Sequence, residues 1–515
     1  MFDYLLLFLA IFIFSFFMRS FIVYLHRAWF SLGFAGDSSG HFTMIRELKR
    51  NPRFERIEQY VIPNEFTYPL AFHRFCALFS LDTIKKYSYL PNLIIFSFFS
   101  ACYALYLFYF EKEVLGRHDH LILMTGEIIY FISASNLIFL GPEIAYIKLS
   151  ERLLARATTG LFILGTINYV LWSDTVSLIM AISCGTIALL ASVFARQVMF
   201  FSIPLLCLFF LDIRPLGVFA ISFALAFIIS GTFFLKSVRD VVLYWRIYKE
   251  FVKPYNLNNM TRGLKLSWVF NSLKEFRIKD LFNYLMTQDP TKLFFFFFEM
   301  FFLIAILPFI YHHSGIYKVY IPIVVSLILY VATATKRFRH LGESYRYLEY
   351  SLYFYVSFFS AYFIVTYLSG NIALLMGIYA ITNLLLCLLI KFILKPNYAT
   401  SDRLQEFMGK LSLTSSDVVF PIDMSFAIEI SSRSEAKTFW WQPGAITTNE
   451  MWNEYFEEYP FLKRNWDHLF NKHKVTHVLC RKYMLNKTSW KYDFTGFDVL
   501  AESEDYIAYK VNRVY

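Results

Sequence analysis

Apolar runs of about twenty residues recur along the first 395 positions of this 515-residue chain, and nothing else in it constrains the fold so tightly. Inside hydrocarbon every backbone N–H and C=O must be satisfied within its own segment, so such runs are restricted to helices packed side by side. They fall at roughly 3–24, 90–110, 120–140, 154–173, 175–195, 197–212, 214–235, 292–311, 318–335, 347–368 and 371–394. The run at 197–212 is short and is closed by Asp212 and Arg214, which leaves the count good to about one span. Charged residues make up only 17% of the chain, and 60 Phe with 36 Tyr suit surfaces that meet lipid and headgroups. No basic stretch precedes the first run and no small-x-small site follows it, so it reads as an uncleaved span. The cysteines at 76, 102, 184, 207, 387 and 480 lie mostly within apolar segments and form no CxxC pair; they read as packing residues.

The expectation is an α-helical polytopic membrane protein of about eleven transmembrane helices over residues 1–395, followed by a small soluble α/β domain at 396–515. In that domain short apolar strands alternate with helical patterns. An amphipathic stretch lies near Asp402–Leu411, strands at Val418–Ile422, Thr438–Trp441, Val475–Cys480, Phe497–Leu500 and Tyr506–Val511, and helices near Ser425–Ser431, Asn449–Phe456 and Phe461–His473. Neither a GxGxxG nor a P-loop occurs, so nucleotide binding has no support.

Loop sizes are uneven. The segments 25–89, 141–153, 196, 236–291, 336–346 and the tail fall on one membrane face, whereas 111–119, 174, 213, 312–317 and 369–370 fall on the other and are almost bare. No internal repeat of the kind that builds transporters is found. The net charge of +10 sits in loops between spans and not on one compact face, which excludes nucleic acid and favours anionic headgroups or a lipid-linked phosphate. In 236–291 Lys236, Arg239, Arg246, Lys249, Lys274 and Arg277 alternate with Trp245, Tyr248, Trp268, Phe270 and Phe276, a pattern of helices lying in the membrane interface.

Immediately after the first span the chain reads Gly33-Phe-Ala-Gly36-Asp37-Ser38-Ser39-Gly40-His41. Glycines on both sides of Asp37 allow close approach to a ligand, and Asp37 and His41 share one face of any helix built there. Asp37 has the chemistry of a general base or of one ligand to a divalent cation (magnesium or manganese); it is equally placed to cap the helix that follows. Farther on, Tyr68-Pro69-Leu-Ala-Phe-His73 marks a helix start carrying His73. After the third span come Glu143, Glu151 and Arg152, and before the tenth come Gly342-Glu343-Ser-Tyr-Arg346-Tyr-Leu-Glu349. Arg346 and Glu349 either serve a substrate or pair with each other at i, i+3. Ionisable groups at the mouths of spans are costly and mark function, so His41, Tyr68, His73, Glu143, Glu151, Arg152, Arg346 and Glu349 are the candidate substrate-binding residues around Asp37.

The order Gly-Asp-x-x-x-His after the first span, then Tyr-Pro-Leu-x-Phe-His, then Gly-Glu-x-x-Arg-Tyr-Leu-Glu before a late span resembles the GT-C superfamily over the membrane domain, about three quarters of the chain. These are multi-span glycosyltransferases that use polyprenyl-phosphate-linked sugars. The resemblance implies an inverting glycosyltransferase of cell-envelope polysaccharide biosynthesis in a bacterial inner membrane. Its partners would be a lipid-linked donor, a glycan, lipid or protein acceptor, and membrane lipids. The first-loop acid of that superfamily is the catalytic base or a metal-coordinating residue, which maps onto Asp37, and its second acid maps onto Glu143, with Glu151 as competitor. One departure is that Ser38 and Ser39 follow Asp37 where a second acid would complete a paired-acid metal site.

The resemblance puts the site on the non-cytoplasmic face. The positive-inside rule points the other way, because Lys and Arg crowd the same face, although the rule weakens for long loops. Two other classes compete: a transporter or flippase of lipid-linked saccharides, expected to carry charges deep in its spans, and a non-catalytic membrane scaffold.

Overall fold

The computed structural model describes residues 2–26, 37–62, 65–133, 149–247, 249–250, 266–277, 280–281, 298–310, 317–335, 337–393, 399–440 and 449–512; for Asp37 it describes the backbone alone. Among them the helices in the membrane part are α1 (Phe2–His26), α2 (Asp37–Arg50), α3 (Ala71–Cys76), α4 (Leu81–Lys86), α5 (Leu90–Tyr109), α6 (Leu121–Ile132), α7 (Arg152–Trp172), α8 (Thr175–Ala191) and α9 (Val193–Phe210). They continue with α10 (Arg214–Ser230), α11 (Thr232–Ile247), α12 (Leu266–Lys274), α13 (Phe298–Ile310), α14 (Tyr317–Ala334), α15 (Tyr345–Leu352), α16 (Tyr355–Tyr367) and α17 (Ile372–Ile393). Six of these segments are long and apolar enough to cross a membrane, or eight if each of two bent helix pairs counts as one span. The expected spans at 120–140 and 292–311 run into residues outside the described ones, as does much of 236–291.

α7 is the hub. Its side chains are buried almost all round, and it packs against α5, α8 and α15. Gly165 makes the α8 contact possible, because a Cβ there would stand 2.7 Å from the backbone oxygen of Ser177. α1 lies at the rim and leaves Phe2, Leu9, Phe17 and Phe21 uncovered, as a lipid-facing helix must. On its inner side the Arg19 guanidinium sits 4.1 Å from the centre of the Phe96 ring.

Contacts join the loop ends into two groups, and the groups are those the loop lengths predict. At the bare end the Tyr109 hydroxyl donates to Asp174 (2.7 Å), which caps α8. There too Glu111 accepts the first N–H groups of α6, and Arg214 donates to the last carbonyls of α7. At the elaborated end Tyr68 meets Glu151, Arg196 donates to Ser237, Gln197 reaches Leu341 and Tyr347, and Lys236 pairs with Glu65.

The C-terminal region is a mixed sheet with helices. Its strands are β1 (Val418–Pro421), β2 (Lys437–Thr438), β3 (Phe456–Glu458), β4 (Phe461–Leu462), β5 (His477–Arg481), β6 (Phe497–Glu502) and β7 (Tyr506–Val511). The main sheet runs β2-β1-β5-β7-β6, parallel among the first three and antiparallel beyond. Alternation sorts its two faces: Val419, Leu479 and Ala508 meet α18 (Ala399–Gly409) and α19 (Met424–Arg433), while Phe420, Val478 and Ile507 join Trp466 and Phe470 on the other side. The helical pattern read at 461–473 holds only from Asp467. Phe461 and Leu462 are instead drawn into extended pairing, where Leu462 donates its N–H to the Ile422 carbonyl.

This sheet does not stand apart from the membrane part. Residues 59–61 of the first loop run alongside β2: Thr438 donates to the Gln59 carbonyl and Val61 to the Thr438 carbonyl, both at 2.9 Å.

Candidate functional site

The first loop turns back on itself after α2 and brings Tyr68 and α3 against the start of the helix. α2 begins at Asp37, so His41 stands one turn along it. His41 Nδ1 lies 2.8 Å from His73 Nε2, and on its other edge His41 Nε2 lies 2.9 Å from Glu151 Oε2. The Tyr68 hydroxyl donates to the second oxygen of Glu151 at 2.7 Å. Four of the residues singled out in the sequence, from three separated segments, thus form one buried chain at the elaborated end.

The protonation states follow from the surroundings. Burial alone would raise the Glu151 carboxyl, but the facing His41 and hydrogen bonds from His41 and Tyr68 hold it down at about 2. Burial and the adjacent His41 ring push His73 down to about 3, so its imidazole is neutral at neutral pH. Between His41 Nδ1 and His73 Nε2 one nitrogen donates and the other accepts, while His41 Nε2 faces the ionised Glu151. The three groups therefore point at one another and not at a common centre. Among the described residues no group of three His, Cys, Asp or Glu is arranged to hold a metal ion.

Cationic groups stand beside this chain. Arg152 opens α7, and Arg156, one turn on, donates to Glu349 at 2.7 Å with its guanidinium 4.1 Å from the Tyr353 ring centre. Arg346 is 2.6 Å from Glu343 and lies over Phe194. Of the two alternatives for Arg346 and Glu349, pairing with each other is therefore not the one adopted: each has a different partner. Glu143 lies outside the described residues. Arg156 is the residue that the sequence reading passed over, although an arginine two positions inside the apolar run at 154–173 is the kind of signal that marks function.

Gly40 also has a role other than the one its position beside Asp37 implies. A Cβ there would stand 3.2 Å from Ile428 Cγ2, so the glycine admits helix α19 of the C-terminal region.

No protein-family model matches the chain, and no curated protein matches it. Among solved structures it is similar to the crystal structure of ArnT from Cupriavidus metallidurans bound to undecaprenyl phosphate, with 99% of this chain and 98% of that chain covered, 9% identity and a TM-score of 0.40. At that score and identity the likeness transfers neither residues nor activity.

Proposed function

We propose that this chain is a membrane glycosyltransferase of the GT-C type. It moves a sugar from a polyprenyl-phosphate-linked donor to a glycan, lipid or protein acceptor at the non-cytoplasmic face, on a scaffold of about eleven spans. The observation that carries the reading is the meeting of Tyr68, His41 and His73 with Glu151, one helical turn from the start of α2 at Asp37. The same three motifs that resemble the superfamily are the ones gathered at one end of the bundle.

In this reading Asp37 takes the proton of the acceptor hydroxyl as that oxygen bonds to the anomeric carbon, and the bond from that carbon to the lipid phosphate oxygen breaks with inversion. The leaving phosphate is already ionised and needs cations, not an acid; Arg152, Arg156 and Arg346 supply positive charge at that end. The Glu151–His41–His73 chain holds the His41 ring in place and fixes α2 against α3 and α7. Asp37 either takes the proton unaided or does so next to a bound magnesium or manganese ion, and chelation before the assay separates the two.

The decisive experiment is Asp37→Asn in the purified full chain with a polyprenyl-phosphate-linked sugar. Transfer is expected to fall by at least about a hundredfold with an unchanged melting temperature, the low end of general-base catalysis. An unchanged glycan output from the variant would remove the catalytic assignment.

One observation favours a second reading. Glu127, in the middle of α6, is buried with neither carboxylate oxygen hydrogen-bonded, as a lipid-linked saccharide flippase would carry within its spans. Flipping of a labelled lipid-linked saccharide in vesicles that Glu127→Gln abolishes, with no sugar transfer, would select it.

A further inference from the structure

Two faces of α2 do different things. His41 lies on the face towards the candidate site, one turn after Asp37, while Gly40, Thr43 and Arg46 recur every three residues on a neighbouring face turned to α19. Along that second face the contact has almost no slack. A Cβ on Gly40 would stand 3.2 Å from Ile428 Cγ2, so that one of the two would have to give by a few tenths of an ångström. Thr43 Oγ1 lies 3.1 Å from Ser431 Oγ. Arg46, buried, donates to the Ser431 carbonyl at 2.9 Å, to Glu435 at 3.2 Å and to Gln59. Gln59 in turn donates to the carbonyls of Ser434 (2.8 Å) and Ala436 (2.7 Å), and the next residues extend the sheet beside β2.

A detachable interaction module would meet its neighbour through a solvated rim. Here the Arg46 guanidinium finds two of its three partners, and Gln59 both acceptors of its amide, across the contact, so separating the two parts would strand them. We infer that the C-terminal region is a permanent clamp on the active-site helix, with Gly40, Ile428 and Arg46 as positioning residues that set where Asp37 and His41 stand. The inference rests on the reading of the site given above. It assigns the C-terminal region a place inside the catalytic unit, without any contact to the reacting atoms.

Displacing α2 by a few tenths of an ångström should therefore cost turnover more than binding. In Gly40→Ala we expect kcat to fall about tenfold with KM within about twofold, because the new methyl pushes α2 off α19. Gly40→Ala/Ile428→Ala, which removes the opposing Cγ2, should restore kcat. A folded double variant no better than Gly40→Ala would overturn the positioning claim. Independently, Thr43→Cys/Ser431→Cys in the full chain should cross-link on mild oxidation and keep its transfer rate. Failure to cross-link would show that the contact is open in the membrane. A cross-linked protein that loses transfer and regains it on reduction would show that the clamp must release, and either result overturns the inference. A double-cysteine chain that cross-links, while neither it nor the wild type transfers sugar from any polyprenyl-phosphate donor, would instead sink the glycosyltransferase reading.

Discussion

His73 shows most directly how burial sets chemistry at a single residue. Its neutral ring is required by its place between His41 and a dry wall of Phe72 and Tyr68. The unfolded chain takes up a proton at His73 near pH 6.5, whereas the folded one does so only near about 3, so between those values the unfolded state binds more protons and stability is lost as pH falls. Glu151, depressed from 4.5 to about 2, adds a loss of the same sign in the lower window. Each group contributes a slope of at most about 1.4 kcal/mol per pH unit. The melting temperature in detergent should thus be lower at pH 5 than at pH 7, and His73→Gln should narrow the difference, leaving the share of His473 and His477, whose rings burial also depresses. Equal melting temperatures at the two pH values in the wild type would contradict the buried neutral ring. At this scale the sequence was informative: the residue types and their spacing picked out His41, Tyr68, His73 and Glu151. It was silent on their partners, because which nitrogen meets which oxygen depends on segments as far apart in the chain as those of His41 and Glu151.

At the scale of elements, apolar run length predicts helices better than it predicts where they turn. The run at 214–235 reads as one span, but α10 stops at Ser230, Gly231 adopts a positive φ of 60°, and α11 leaves at 119°. Phe233, Phe234 and Leu235 prolong the apolar run beyond the bend, so run length does not mark where the helix turns. α11 then buries Phe234, Ser237 and Val241 and leaves Lys236, Arg239, Val242 and Arg246 exposed, so the helix has two unlike faces. The opposite end offers a control for the site. Asp174 accepts from Ser177 N–H at 2.7 Å and from Tyr109, and so closes the bare end of the bundle. Asp174→Ala should destabilise the protein by about 1–2 kcal/mol, read as a lower melting temperature, because it removes a helix cap. Sugar transfer per folded molecule should stay within about twofold, since the cap lies a full helix length from Glu151. A collapse of transfer at constant fold would mean that the far end takes part in the chemistry.

For the molecule as a whole, the unequal loops resolve into two ends, and the described contacts respect that division throughout. Which end faces outward is a separate matter. Reporter fusions at position 315 and at the C-terminus should give opposite signals, with the C-terminal one non-cytoplasmic. A cytoplasmic C-terminus would reverse the proposed sidedness while leaving the two-ended architecture intact. What the sequence could not disclose at this scale is the union of the first loop with the tail. Pairing between Tyr60 and Thr438 leaves no periodic trace, and Gly40 looks like a residue making room for a ligand until α19 is seen against it.

That union has a consequence for how the protein is made. About 380 residues separate the two partners of the Tyr60–Thr438 bridge, so at about 5–20 residues per second the first loop waits roughly 20 to 80 seconds after its own synthesis before its sheet partner exists. Until then α2 has no α19 to close on. A nascent chain, or one cut short before its last hundred residues or so, carries every motif of the first loop and yet cannot hold it in working order. Synthesis of α19 and β2 is thereby the step that gives the first loop its partners.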